Sequence, residues 1–196
     1  MTKMQKQIDF LATCDKLKSV ERQTLLLDKM RQENSAEHSW HFGLLAMTLF
    51  EYCALDGVDL NRVLKMALVH DLIEIYAGDT PAMDISAQAG KEEREQEAAD
   101  KLFTQLPTEQ AAEFRELWEE FEAMQTPDAR YAAAADCLQS FLNNYKNKGA
   151  GAWVKYGATA EMIRERTRPI AQAMPALWEF VECAIDEGVS EGWIRV

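Results

Sequence analysis

The chain holds only three histidines in 196 residues, and two of them stand where packing alone does not explain them. In "KMALVHDLIEIYAGDT", residues 65–80, His70 and Asp71 follow the apolar run Met66, Ala67, Leu68 and Val69. Glu74 comes one turn later, and Asp79 stands just past Gly78. A lone histidine on an apolar helix is usually a satisfied core residue. An adjacent carboxylate reverses that reading, because imidazole nitrogen and carboxylate oxygen are a natural pair of metal ligands. Helical neighbours diverge by about 100°, so both reach one ion only near the crease between them. Glu74 projects between those two directions, where it can hold a water that the metal also binds.

Asp136 raises the same question. "YAAAA" precedes it and "CLQSFL" follows, which places a carboxylate in the middle of a core helix. Unpaired, it would be strongly destabilising. Positions 132 and 140 are Ala and Ser, so that helix supplies no cation at four-residue spacing, and a metal ion answers the need. His38, in the first turn of another helix, is the fourth candidate; His41, one turn on, reads as structural or surface. His38 lies 32 residues before His70, and Asp136 lies 65 after Asp71, so the four come from three different helices. Two nitrogens and two carboxylates with room for water suit one divalent first-row transition ion: Mn, Co, Ni or Fe ahead of Mg or Zn.

The elements that must carry these residues are helical throughout. Apolar spacing predicts a first helix over about 3–18, then an ordered connection in "SVERQTLLLDKMRQENSAE". Asn34 or Ser35 caps a helix to about Leu55, and Asp59 caps the next, which runs through the His-Asp doublet to Gly78. Residues 79–90 are a loop, followed by two amphipathic helices with charged outer faces in "KEEREQEAADKLFTQL" and "EQAAEFRELWEEFEAMQ". Thr126-Pro127 starts the Asp136 helix, and a last helix spans 159–187, bent or broken near Pro169 and Pro175. No segment alternates with period two. The expectation is an all-α fold of six to eight helices in one domain, 1–196, with its motif-bearing part at about 20–145 and a C-terminal helical extension at about 159–187.

Composition narrows the function classes. Apolar residues make up 47% and charged residues 28%, the profile of a soluble globular chain. No apolar stretch approaches membrane-span length, and "MTKMQKQIDF" has no signal-peptide core, so a cytoplasmic protein is expected. A net charge of −12 with scattered Lys and Arg repels nucleic acid while leaving a small anionic substrate open. Cys14, Cys53, Cys137 and Cys183 are far apart and read as reduced core thiols.

The pattern His38…His70-Asp71…Asp136 on a helical scaffold resembles the HD-domain metal-dependent phosphohydrolases. "ENSAEHSW", "KMALVHDLIEIYAGDT", "KEERE", "FRELWEEFE" and "AAAADCLQ" look most like the small branch acting as 5′-nucleotidases on deoxyribonucleoside monophosphates. The resemblance implies that His38, His70, Asp71 and Asp136 hold the metal, that Glu74 positions and deprotonates the attacking water, and that Asp79 lies beside the sugar or leaving oxygen. It implies Arg22 as the phosphate-binding arginine, with Arg31 second, a nucleoside monophosphate as substrate, and a homodimer. Where the related nucleotidases follow that arginine with Trp, this chain has Gln23. Trp40 is a candidate for the pocket wall, and Trp153, Trp178 and Trp193 for core or dimer contacts. The alternatives are a related enzyme on another small phosphate ester and a non-catalytic metal- or nucleotide-binding sensor. Too few histidines for a two-metal cyclic-nucleotide site, and no Glu-x-x-His, set those two architectures aside.

Overall fold

The computed structural model describes residues 1–84 and 87–196. Helix α1 (Lys3–Cys14) is capped by the Thr2 hydroxyl and ends in a 3-10 turn over Asp15–Ser19. The chain then forms a small antiparallel ribbon, β1 (Glu21–Leu25) with β2 (Gln32–Asn34), pairing Glu21 with Asn34 and Leu25 with Gln32. Helices α2 (Ser35–Thr48) and α3 (Leu60–Val69) follow, and a 3-10 turn over His70–Ile73 leads into the one-turn α4 (Glu74–Ala77). Helices α5 (Lys91–Phe103), α6 (Thr108–Ala123) and α7 (Pro127–Lys146) come next. Short α8 (Ala152–Tyr156), α9 (Ala160–Ala173) and α10 (Trp178–Ser190) complete the molecule.

The helical class expected from the sequence is the observed one. Asn34 closes a full capping box on α2: its side chain accepts from the Glu37 amide at 3.0 Å, and the Glu37 carboxylate accepts from the Asn34 amide at 3.2 Å. Asp59 caps α3, and Thr126 caps α7 with Pro127 in its first turn. Helix α7 is the axis of the packing. Tyr131 through Gln139 are all buried, because α2, α3, α6, α9 and β1 surround it. Its run of small alanines lets those neighbours approach closely.

Four expectations need correction. The connection over 21–34 is the ribbon, whose strands are too short to alternate visibly. Its turn uses Asp28, which accepts the Met30 amide, and Lys29 at φ 62° in place of a glycine dipeptide. The helix expected to reach Leu55 ends at Thr48. The continuous helix expected from Asp59 to Gly78 is three pieces, changing pitch at the His-Asp doublet itself. The last helix breaks at Pro175 only; Pro169 lies inside α9.

Candidate metal centre and pocket

His70, Asp71, Leu72 and Ile73 form the 3-10 turn, and all four are buried. His38 arrives from the second turn of α2 and Asp136 from the middle of α7. His38 Nε2 lies 2.9 Å from Asp136 Oδ1 and 3.8 Å from Asp71 Oδ2, and His70 Nε2 lies 3.1 Å from Asp71 Oδ1. Ligand-type atoms of His38, His70 and Asp71 come within 4.8 Å of one another. Three of the four residues picked from the sequence thus form one mutual group, and Asp136 joins it through His38.

Both imidazoles present a bare nitrogen to this point. His70 Nδ1 donates to the Ala67 carbonyl at 3.1 Å, since a carbonyl can only accept. For His38 the tautomer follows from its neighbours. Gln139 Nε2 donates to Glu33 Oε1 at 2.7 Å and faces His41 Nδ1 at 3.2 Å, so Gln139 Oε1 is the atom turned to His38 Nδ1, at 2.7 Å. Nδ1 therefore carries the proton, and Nε2 keeps its lone pair. Both Nε2 atoms are buried without a hydrogen-bond partner, the state a metal ligand needs. Burial keeps His38 neutral, with Arg22 adding to the effect, and lowers its pKa to about 4; burial lowers His70 as well.

The carboxylates show a deficit of positive charge. Burial pushes Asp71 up to about 7 against the pull of Arg22, and burial with the Asp71 charge pushes Glu74 up to about 8. Asp79 is also raised by burial, opposed by Arg22 and Lys91. Burial opposes ionisation of Asp136 too, and with His38 neutral it is the Arg166 guanidinium that works against burial there. A divalent cation fits this donor set on two counts: it supplies charge to crowded carboxylates and a partner to two orphaned imidazole nitrogens.

Around the cluster lies a cavity of about 380 Å³, lined by Arg22, Gln23, Asp71, Glu74, Asp79, Lys91, Asp136 and Arg166 among others. Arg22 reaches in from β1, donating to Asp71 Oδ2 at 2.8 Å with Glu74 Oε1 3.9 Å away. The buried Ser35 hydroxyl donates to Glu74 Oε2 at 2.6 Å, holding that carboxylate from the far side. Gly78 at φ 76° swings the chain so that Asp79 lines the cavity.

Several expectations do not survive. Arg31 lies outside this cavity, paired with Glu37 on the surface. Trp40 is 66% exposed and forms no part of the wall, whereas Trp153 is buried and does line it. Of the four cysteines only Cys137 is fully buried, and Cys183 is exposed. Asp136 does have a protein cation: Arg166 Nη2 is 3.3 Å from its Oδ2, supplied by α9 instead of its own helix. Arg166, Ser35, Gln139 and Glu33 were not singled out from the sequence. Arg166 had a signal, falling one turn after Ile163 on the α9 face that buries Ile163, Thr167 and Ile170.

Comparison with known proteins agrees with this geometry. A solved structure from Magnetospirillum magnetotacticum MS-1, described as a predicted metal-dependent phosphohydrolase, superposes with a TM-score of 0.93 at 42% identity, covering 99% of this chain and 96% of that one. The human 5′-deoxynucleotidase HDDC2 is 29% identical over 136 residues, 69% of this chain and 65% of that protein, so the match spans just under two thirds of its length. The fission yeast 5′-deoxynucleotidase hdd1 is 33% identical over 145 residues, 71% of each chain. The HD domain model matches residues 14–178, well past the motif-bearing stretch and into α10. On that match, and on the likeness to hdd1, the chain belongs to the HD domain family.

Proposed function

We propose that this protein is a metal-dependent phosphohydrolase that releases phosphate from nucleoside 5′-monophosphates, deoxyribonucleotides among them. The observation that carries the reading is the pair of buried, unpartnered imidazole nitrogens facing Asp71 and Asp136, with Glu74 beside them in a cavity of about 380 Å³. The relatives named 5′-deoxynucleotidases support the substrate class.

His38, His70, Asp71 and Asp136 would hold one divalent ion, and the mixed nitrogen and oxygen donors favour Mn, Co, Ni or Fe over Mg or Zn. When bound, such an ion polarises a phosphoryl oxygen and lowers the pKa of a water. Glu74 is the base that takes the proton of the attacking water. Its Oε2 is fixed by Ser35, which leaves Oε1 toward the cavity and the Arg22 side. Arg22 holds phosphoryl oxygen while its other contacts keep Asp71 in place. Asp79 meets the sugar or the leaving oxygen. Gln23, occupied by the Lys155 ammonium at 2.5 Å, shapes the sugar side. Trp40, Leu44, Met47 and Leu68 leave an exposed apolar patch on α2 and α3 that supports a homodimer.

The test is phosphate release across a panel of 5′-ribo- and deoxyribonucleotides with Mn²⁺, Co²⁺ or Mg²⁺ added. Asp71→Ala is expected to lose both metal binding and turnover. Glu74→Ala is expected to lose turnover and keep the metal. A wild type that binds metal and nucleotide but releases no phosphate from any ester overturns the reading in favour of a sensor.

A further inference from the structure

Resting on the phosphohydrolase reading above, we propose that Arg166 is a second phosphate clamp, taking a non-bridging phosphoryl oxygen from the side of the metal cluster opposite Arg22. The two guanidiniums contact different ligand residues. Arg22 donates to Asp71 Oδ2 on one edge, and Arg166 Nη2 reaches Asp136 Oδ2 at 3.3 Å on the other. His38 Nε2 lies between those two carboxylates. A phosphoryl group bound at the cluster would therefore be in reach of two arginines that approach from different elements, β1 and α9.

The state of Arg166 differs from that of a structural partner. Its side chain is 44% exposed where Arg22 is 14% exposed, and it lines the cavity. It makes one long, single contact to Asp136, not the bidentate fork that guanidinium and carboxylate form when each exists for the other. Of its five N–H donors, that contact is the one hydrogen bond it makes among the described residues. Arginine donors left at the mouth of a cavity are suited to planar, paired contacts with an oxyanion.

The charge of the pocket calls for such a group. Among the described residues, Asp71, Glu74, Asp79, Glu95, Glu122 and Asp136 line it against Arg22, Lys91 and Arg166. Lys91 is drawn to Glu95 at 3.4 Å, and Arg22 is held by Asp71 with Glu74 close by. A dianionic phosphate entering beside one divalent ion still faces an excess of carboxylates, and Arg166, which like Arg22 makes one side-chain hydrogen bond among the described residues, has donors to spare. Its position on α9 also gives the C-terminal segment a share in the substrate site.

The test uses full-length protein carrying Arg166→Met, with Arg166→Lys as the variant that keeps the stem and the charge. Calorimetric titration of metal-free protein with Mn²⁺ reads the cluster, titration of Mn²⁺-loaded protein with inorganic phosphate reads the clamp, and steady-state hydrolysis separates KM from kcat. For Arg166→Met, Mn²⁺ affinity is expected to stay within about threefold of wild type, phosphate affinity to fall about tenfold or more, and kcat/KM to fall about 10²-fold. Arg166→Lys is expected to recover part of the phosphate affinity, and it carries the test if the Met variant does not fold. Phosphate affinity unchanged in either folded variant overturns the clamp. A parallel loss of Mn²⁺ affinity also overturns it, making Arg166 a positioning residue for Asp136. A wild type that binds Mn²⁺ and phosphate, loses phosphate in Arg166→Met and hydrolyses no nucleotide supports the clamp while overturning the reaction assigned above.

Discussion

Gln139 has both amide hydrogens committed, one to Glu33 and one toward His41, and this commitment turns its oxygen to His38. Glu33 is itself buried and accepts from Thr24 at 2.9 Å and Asn143 at 3.0 Å. A carboxylate two bonds removed from the centre thus sets the orientation of one imidazole. Gln139→Leu keeps the volume and removes the acceptor, so His38 loses its fixed tautomer. Mn²⁺ affinity is expected to fall about 10–100-fold by titration calorimetry. His70, Asp71 and Asp136 were legible because each is polar within an apolar helical run, a mismatch visible in one dimension, whereas His38, in "SAEHSWHF", gained its meaning only beside them. Glu33 and Gln139 were not, because "QEN" lies in a connection whose ordered shape the sequence does not specify, and a helical Gln has no signature until its partner from another element is known.

At the scale of elements, the decisive feature is the change of pitch after Val69. Neighbours diverge by about 100° on an α-helix and about 120° on a 3-10 turn, so His70 and Asp71 meet through their side chains, His70 Nε2 lying 3.1 Å from Asp71 Oδ1, within a turn whose four residues are all buried. The chain leaves through Gly78 at φ 76° and ψ 157°, a region essentially closed to residues with a Cβ. No atom lies within 4 Å of where that Cβ would stand, so the cost of Gly78→Ala is backbone strain alone. It is expected to destabilise the fold by about 1–3 kcal/mol in chemical denaturation and to raise KM by displacing Asp79. Caps made these helices readable: Asn34, Asp59 and Thr126 announce their starts locally. The ribbon was not readable, because its turn residues are Asp28 and Lys29 and its strands gain their order from Asn147, which donates to the Leu25 and Leu26 carbonyls 3.0 and 3.2 Å away. That contact spans most of the chain.

For the molecule as a whole, the same crowded carboxylates couple folding to pH and to metal. In the metal-free protein Asp71 and Glu74 are raised by burial, to about 7 and about 8, from ordinary values of 3.8 and 4.5. Those two carboxylates bind more protons folded than unfolded, while buried neutral His38 and His70 bind fewer below their ordinary value of 6.5 and offset them, so stability falls as pH rises from about 6.5 to 8. Thermal unfolding of metal-free protein is expected to show a midpoint that declines from about pH 6.5 to 8. Saturating Mn²⁺ should raise the midpoint most at the alkaline end, and Glu74→Gln should flatten the metal-free slope. An equal slope in all three overturns the assignment of that pH dependence to this cluster. The aromatic packing of the C-terminal segment has an optical consequence. Among the described residues, Trp153 is the one tryptophan on the cavity wall, and its indole stacks on Trp193 with centroids 5.9 Å apart and planes 9° apart. Its emission therefore comes from a dry, coupled pair at the edge of the ligand space, which makes the chain its own fluorescent reporter of occupancy, with no label to attach.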